Sequence, residues 1–126
     1  MPGSSAYFYG SIVSYDNSIK QSVLGVQTET LQSAGAVSED TVVQMANGAK
    51  AMMKTNYAIA ISGIMGPGGG SEDKPVGTVW VAVAGEQRTT AQKFQTRYDR
   101  RRNIEVTAIQ ALNMLRLEIL NDLQDF

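Results

Sequence analysis

YAIAISGIMGPGGGSEDKPVGTVWVAVA, residues 57–84, is the stretch on which the fold turns. Tyr57 to Ile61 is a short, continuous apolar run bounded by turn signals, the pattern of a strand buried on both faces. Thr78 to Ala84 is a second run of β-branched and aromatic residues, which again reads as a strand. Between them, residues 62–78 hold six of the chain's twelve glycines (Gly63, Gly66, Gly68, Gly69, Gly70 and Gly77) and two of its three prolines. A strand rather than a helix follows the glycines, and no Gly-Lys-Ser/Thr closes them. The loop is therefore neither a dinucleotide fingerprint nor a Walker loop. In an open α/β sheet, ligands sit outside the carboxyl ends of parallel strands, and the loop is expected to leave from such an end. Glycines let backbone amides approach an oxyanion or phosphate closely. Ser62 and Ser71 add hydroxyls and Lys74 a positive charge. Pro67 and Pro75 stiffen a connection of a length that is otherwise functional or disordered.

Working outward, Gly85-Glu86-Gln87 reads as a hairpin turn into an alternating strand, Arg88 to Arg97, near the sheet edge. A last helix is expected from Arg100 to Leu123, with Ile104, Ala108, Ala111, Leu112, Leu115 and Ile119 as its apolar stripe. Upstream, Ser38 is a good helix cap, followed by Glu39 and Asp40 in a first turn where negative charge suits the helix dipole. Val42, Met45, Ala46, Ala49, Met52 and Met53 then recur at helical spacing, predicting a helix over 39–54. AYFYGSIVSYD, residues 6–16, reads as a strand ended by Asp16-Asn17-Ser18. A short helical turn follows over 18–24, stopped by Gly25, and another runs to Ser33 with Thr28 as its cap. The helix over 39–54 suits a parallel crossover between two buried strands. Helices packed on a mixed sheet, in one domain spanning 1–126, are the expected α/β architecture.

Two absences narrow the chemistry. With no Cys there is no disulfide, thiolate nucleophile or zinc–sulfur site, and with no His there is no imidazole base or ligand. Neither a metal nor a cofactor is expected. The net charge of −1 provides no field for nucleic acid or an anionic membrane. No apolar run approaches the roughly 20 residues of a bilayer span, and Met1-Pro2-Gly3-Ser4-Ser5 lacks the regions of a signal peptide. A cytoplasmic protein is expected.

Lys20, placed after the first strand, is a candidate base if burial lowers its pKa; alone, such a lysine is more often solvated. Tyr15 alone is more often a strand packing residue. Lys93, Arg97, Arg100, Arg101 and Arg102 form a basic cluster, in which Asp99 and Glu105 favour a solvated, ion-paired face over a phosphate site.

Taken together, PGSSAYFYGSIVSYDNSIK, LGV with GAVSE, SGIMGPGGGSEDKPVGTVW and YDRRRNIE resemble, in order and over nearly all 126 residues, the C-terminal domain of the competence/damage-inducible CinA family. That domain is also found alone as nicotinamide-nucleotide amidase. The resemblance implies a three-layer α/β/α sandwich and hydrolysis of the carboxamide of nicotinamide mononucleotide to nicotinate mononucleotide and ammonia, by a Ser–Lys type mechanism. It assigns the family's lysine to Lys20 and the neighbouring tyrosine to Tyr15. Oxyanion or ligand contacts fall to Ser62, Gly63, Gly66, Gly68, Gly69 and Gly70, with Ser5 and Arg100 also at the site. Tyr98 stands where glycine is common in the family.

Family members begin with a helix and a strand leading to Glu-Ser-Cys-Thr-Gly-Gly, whose serine is the presumed nucleophile. Pro2-Gly3-Ser4-Ser5 matches the family after that segment, and neither serine corresponds to the nucleophile. The expectation is an N-terminally incomplete domain that takes a small nucleotide substrate, self-associates through an uncovered edge, and is weak or inactive as an amidase. The alternative is a non-catalytic nucleotide-binding or assembly module of the same fold. Neither nucleic acid nor a membrane is an expected partner.

Overall fold

The structure, a computed structural model, describes residues 1–124. A single 3-10 turn, Ser4–Ala6, precedes an irregular arm over 7–15. Helices α1 (Asn17–Ser22), α2 (Thr28–Ser33) and α3 (Glu39–Met53) follow, then strands β1 (Ala58–Gly63), β2 (Thr78–Ala84) and β3 (Thr89–Gln95), and finally helix α4 (Arg100–Gln124). The strands form one sheet in the order β1-β2-β3.

Alternation along the strands builds two separate cores. Ala60, Ala82 and Ala84 point to one face, where they meet Val42, Met45 and Ala46 of α3 together with Leu24 and Val26. Small side chains on the sheet let α3 lie close. Val79 and Val81 point to the other face and meet Ala111 of α4, with Ile59, Phe94 and Met114 around them. Helices thus cover both faces, and the layered α/β/α arrangement is as expected. A close approach also fixes Gly48 in α3, since a Cβ there would stand 1.8 Å from the Leu24 carbonyl oxygen.

The capping signal at Ser38 acts as read, whereas Thr28 does not cap α2. Ser38 caps α3 by accepting from the Thr41 amide at 3.2 Å, and the Asp16 carboxylate caps α1 by accepting from Ser18. At α2 the cap is Gln27, with Thr28 as the first helical residue. The turn after β2 closes with the Gly85 amide donating to the Arg88 carbonyl at 2.8 Å.

Four expectations need correction. Residues 6–16 do not form a strand: the segment is extended and irregular, and Tyr9 to Val13 make no hydrogen bond among the described residues. β-propensity reports a fit to a pleated, half-buried surface, and here no neighbouring strand completes a ladder. Consequently the parallel crossover is absent, both pairings being antiparallel, and the glycine loop is the long connection of an antiparallel pair rather than the carboxyl end of parallel strands. β1 is not buried on both faces; it is an edge strand in which only Ala60 is fully buried.

The fourth correction concerns α4. Of the expected stripe only Ala111 is buried, whereas Ile104 and Leu112 are exposed. The face turned to the sheet carries Asn103, Thr107, Ala111, Glu118 and Asp122. These residues also recur at helical spacing, and each polar member has a partner that burial demands.

Candidate functional site

The uncovered edge of β1 is the floor of a groove of about 1480 Å³. The arm and α1 form one wall, the apolar side of α4 (Ala108, Leu112, Leu115, Ile119) forms the other, and the end of α3 closes part of its length. The hydrogen-bond parity of β1 decides what the floor presents. Because the Ile64 amide donates to Thr78 at 2.9 Å, the alternate residues Ser62, Ala60 and Ala58 bond inward to β2. Ile59, Ile61 and Gly63 therefore turn their N–H and C=O groups out into the groove.

Lys20 lies on the wall of this groove. It belongs to α1, not to a preceding strand, and is only 6% exposed. Its ammonium donates to the Ser14 carbonyl, which ties the base of the arm to the helix. Burial pushes the amine below the ordinary lysine range, and the Asp16 carboxylate opposes this in part. Asp16 is itself held below the usual carboxylate range by the backbone and side chain of Ser18, with a further contribution from Lys20.

The groove brings together Lys20, Tyr15, Ser62 and Gly63 among the expected site residues. Tyr15 is 88% exposed, so its ring extends from the wall into solvent. Gly63 has a steric reason to lack a side chain, since a Cβ would stand 2.9 Å from both Val79 and Met65. The other residues are placed apart. Gly66, Gly68, Gly69 and Gly70 lie in the loop beyond the groove lining, and Ser5 is exposed in the N-terminal turn. Arg100 does not enter the groove; its Nη1 donates to the Gly66 carbonyl at 3.1 Å.

The glycine loop is braced from several sides. Asn103, buried on α4, donates through Nδ2 to the Met65 carbonyl at 2.9 Å and accepts from the Tyr98 amide at 2.9 Å. Lys74 Nζ donates to the Ala34 carbonyl at 2.5 Å, and the Ser71 amide donates to the Lys74 carbonyl at 2.9 Å. Lys74 thus acts as a strut between the loop and α2. The basic cluster has the solvated character expected of it: Arg101 and Arg102 pair with Glu105 at 3.4 and 3.6 Å, and Arg102 lies over the Tyr98 ring at 5.7 Å.

Sequence reasoning missed a polar constellation beneath the C-terminal half of α4, two members of which, Tyr57 and Asp122, line the groove. Glu118, 4% exposed, accepts from Arg88 Nε at 2.9 Å and Nη2 at 3.2 Å. Asp122, 3% exposed, accepts through Oδ2 from the Tyr57 hydroxyl at 2.6 Å. That bond, together with burial and the nearby Asp122, Glu86 and Glu118 charges, pushes the Tyr57 phenol up to about 12. Asp122 Oδ1 is buried with no hydrogen-bond partner, and both Tyr57 and Asp122 line the groove. The available signal was the spacing of Asn103, Thr107, Ala111, Glu118 and Asp122, a second helical face overshadowed by the apolar one.

Among the described residues no helix is long and apolar enough to cross a membrane, and no cluster of acidic side chains could hold a metal ion. Comparison with known proteins gives a consistent result. A model of the CinA C-terminal domain matches residues 1–119. A CinA-like protein of Amoebophilus asiaticus is 44% identical over 119 residues, which cover 94% of this chain and 29% of that protein. One from Parasynechococcus marenigrum is 45% identical over 122 residues, with 95% and 29% covered. The chain thus spans less than a third of the length of these curated relatives.

Among solved structures, competence damage-inducible protein A of Klebsiella pneumoniae superposes with a TM-score of 0.90 at 31% identity, covering 95% of this chain and 74% of that one. A competence/damage inducible protein of Agrobacterium tumefaciens gives 0.81 at 41%, covering 83% and 65%. On the profile match and these identities, the chain belongs to the CinA C-terminal domain family.

Proposed function

We propose that the groove lined by Lys20 and Gly63 is an amide-hydrolysing site for the carboxamide of a pyridine nucleotide, nicotinamide mononucleotide. The observation that carries this reading is a buried amine, Lys20, lining the same groove as the outward-facing Gly63 amide, with burial favouring its uncharged form. In its deprotonated form Lys20 accepts a proton from the attacking hydroxyl group. The Gly63 N–H is a donor for the oxygen that becomes negative as the carbonyl carbon turns tetrahedral. The C–N bond then breaks, ammonia leaves with the proton returned by Lys20, and nicotinate mononucleotide remains. Ser62, which lines the groove, supplies part of the rim against which the nucleotide rests.

Among the described residues, the hydrogen bond of the Lys20 ammonium goes to a carbonyl, and no serine hydroxyl partners it. With water as the attacking group the hydrolysis is one step, whereas a seryl hydroxyl would give an ester that water then hydrolyses; a nucleophile and base that act as a unit account for about 10⁶ in turnover. The test is ammonia release from nicotinamide mononucleotide by this chain and by a version preceded by the family's helix and strand with Glu-Ser-Cys-Thr-Gly-Gly. The extended version is expected to turn over and the chain alone to be near background, while Lys20→Met in the extended version abolishes release. An extended version that stays silent, or one indifferent to Lys20→Met, refutes the reading.

The open groove favours a second reading, a binding or assembly module of the same fold. Calorimetric binding of the nucleotide by the extended version without any ammonia release would select it.

A further inference from the structure

We infer that Asn103 is a positioning residue: from α4 it fixes the path of the backbone from Gly63 to Gly66, and with it the direction of the Gly63 amide. The inference rests on the reading of that amide as the donor to the developing oxyanion.

The ladder between β1 and β2 runs out at Ile64, whose amide donates to the Thr78 carbonyl at 2.9 Å and whose carbonyl accepts from the Gly77 amide at 2.6 Å. Beyond it, the Met65 carbonyl accepts from Asn103 Nδ2 at 2.9 Å. The Gly66 carbonyl, next in line, accepts from Arg100 at 3.1 Å, and Gly66 stands at φ +88°, where the chain leaves extended geometry. Of the two side chains, Arg100 is exposed and Asn103 is only 1% exposed. Water competes with the arginine's bond and not with the asparagine's.

The helix has no need of a polar side chain at 103 for its own sake. Asp99 already satisfies the first turn of α4: its carboxylate accepts from the Arg102 amide and its carbonyl from the Asn103 amide, both at 2.8 Å. The same helix face continues with Thr107 and Ala111. An aliphatic residue at 103 would be buried there without the cost of desolvating an amide. That cost is offset because both ends of the side chain are engaged, Oδ1 by the Tyr98 amide at 2.9 Å and Nδ2 by Met65. Asn103 thus ties the start of α4 to the end of β1.

Movement at Met65 reaches Gly63 directly. Met65 packs on the α4-side core with Val79, and its Cε and Val79 Cγ2 each stand 2.9 Å from where a Gly63 Cβ would be. Both groups crowd the Gly63 α-carbon, so a shift of one displaces it. A donor aimed at a developing charge has to be held to within about 0.5 Å, and a misplacement of about 1 Å costs on the order of 10²-fold in rate.

The test compares Asn103→Asp with Thr107→Val. The first keeps the shape and the acceptor for Tyr98 and removes the donor to Met65. The second is a control on the same buried face, where the Thr107 hydroxyl is spent on the Asn103 carbonyl at 2.7 Å. In the whole chain, hydrogen exchange at the Ile64 and Gly77 amides, measured relative to those of α3, is expected to quicken about tenfold in Asn103→Asp, the weight of one lost hydrogen bond. Thr107→Val is expected to keep the native ratio. In the extended version, Asn103→Asp is expected to lower kcat about 100-fold with KM nearly unchanged, as for an interaction made only in the transition state. A native kcat in Asn103→Asp, an effect confined to KM, or an equal loss in Thr107→Val overturns the inference. If the extended version with Asn103 intact releases no ammonia, the reading of Gly63 fails instead, and the amides decide alone. Quickened exchange then upholds Asn103 as the residue that holds this backbone, and unchanged exchange overturns it.

Discussion

Replacing Tyr57 with Phe isolates the polar contact beneath the C-terminal end of α4. In the native chain the phenol donates to Asp122 Oδ2 at 2.6 Å, and Oδ1 already lacks a partner. Tyr57→Phe therefore leaves a buried carboxylate with neither oxygen satisfied by a side chain. A hydrogen bond to a charged group contributes about 1.5–3 kcal/mol, and the acceptor left behind keeps its desolvation cost. A loss of about 2 kcal/mol is expected, or some 6–12 °C in Tm for a chain of this size. Adding Asp122→Leu removes the stranded acceptor, so the double variant is expected to recover most of that loss.

The pH dependence of this contact has a definite sign. The folded-state pKa of Tyr57 is raised to about 12, above its unfolded value of about 10. Its contribution is complete below about pH 10 and is lost as the pH rises toward 12. The stability gap between native and Tyr57→Phe should be constant near neutrality and close over that alkaline window. The other four tyrosines are common to both proteins and cancel in the difference. The assay is urea unfolding at pH 7 and across pH 9–12, at concentrations too low for self-association. A gap under about 0.5 kcal/mol at pH 7, within the ordinary range of surface substitutions, refutes the reasoning. So does a gap that ignores pH, or a double variant weaker than Tyr57→Phe.

Two further outcomes are expected. Gly48→Ala places a Cβ 1.8 Å from the Leu24 carbonyl oxygen, so α3 must leave its seat; a loss beyond about 4 kcal/mol should appear as a collapse of the thermal transition, and a native-like melt would contradict the close approach. Lys20→Met tests the buried amine through pH: with a folded pKa below the unfolded value of about 10.4, the native chain gains stability as the pH rises through that interval and loses it as the pH falls through the folded pKa. The variant should lack this slope, and parallel stability–pH curves for the two proteins would show that Lys20 titrates normally.

The elements whose signals are local were legible from the residues alone. The Ser38 cap and the apolar periodicity after it define α3, and the Gly85-Glu86-Gln87 turn defines the β2–β3 hairpin. Of the candidate site residues, Lys20, Tyr15, Ser62 and Gly63 line the groove, whereas the loop glycines from Gly66 to Gly70 and Arg100 lie outside it. What remained hidden depends on neighbours distant in the chain. Whether AYFYGSIVSYD becomes a strand is decided by the presence of a paired edge, because propensity supplies no hydrogen bonds of its own. Which face of α4 is buried is decided by Arg88 and Tyr57, which pair with Glu118 and with one oxygen of Asp122 and so let polar groups face the sheet while leucines line a groove. Local propensity and periodicity thus set the elements and their order, while the tertiary structure alone decided which edge stays open and which amine loses its water.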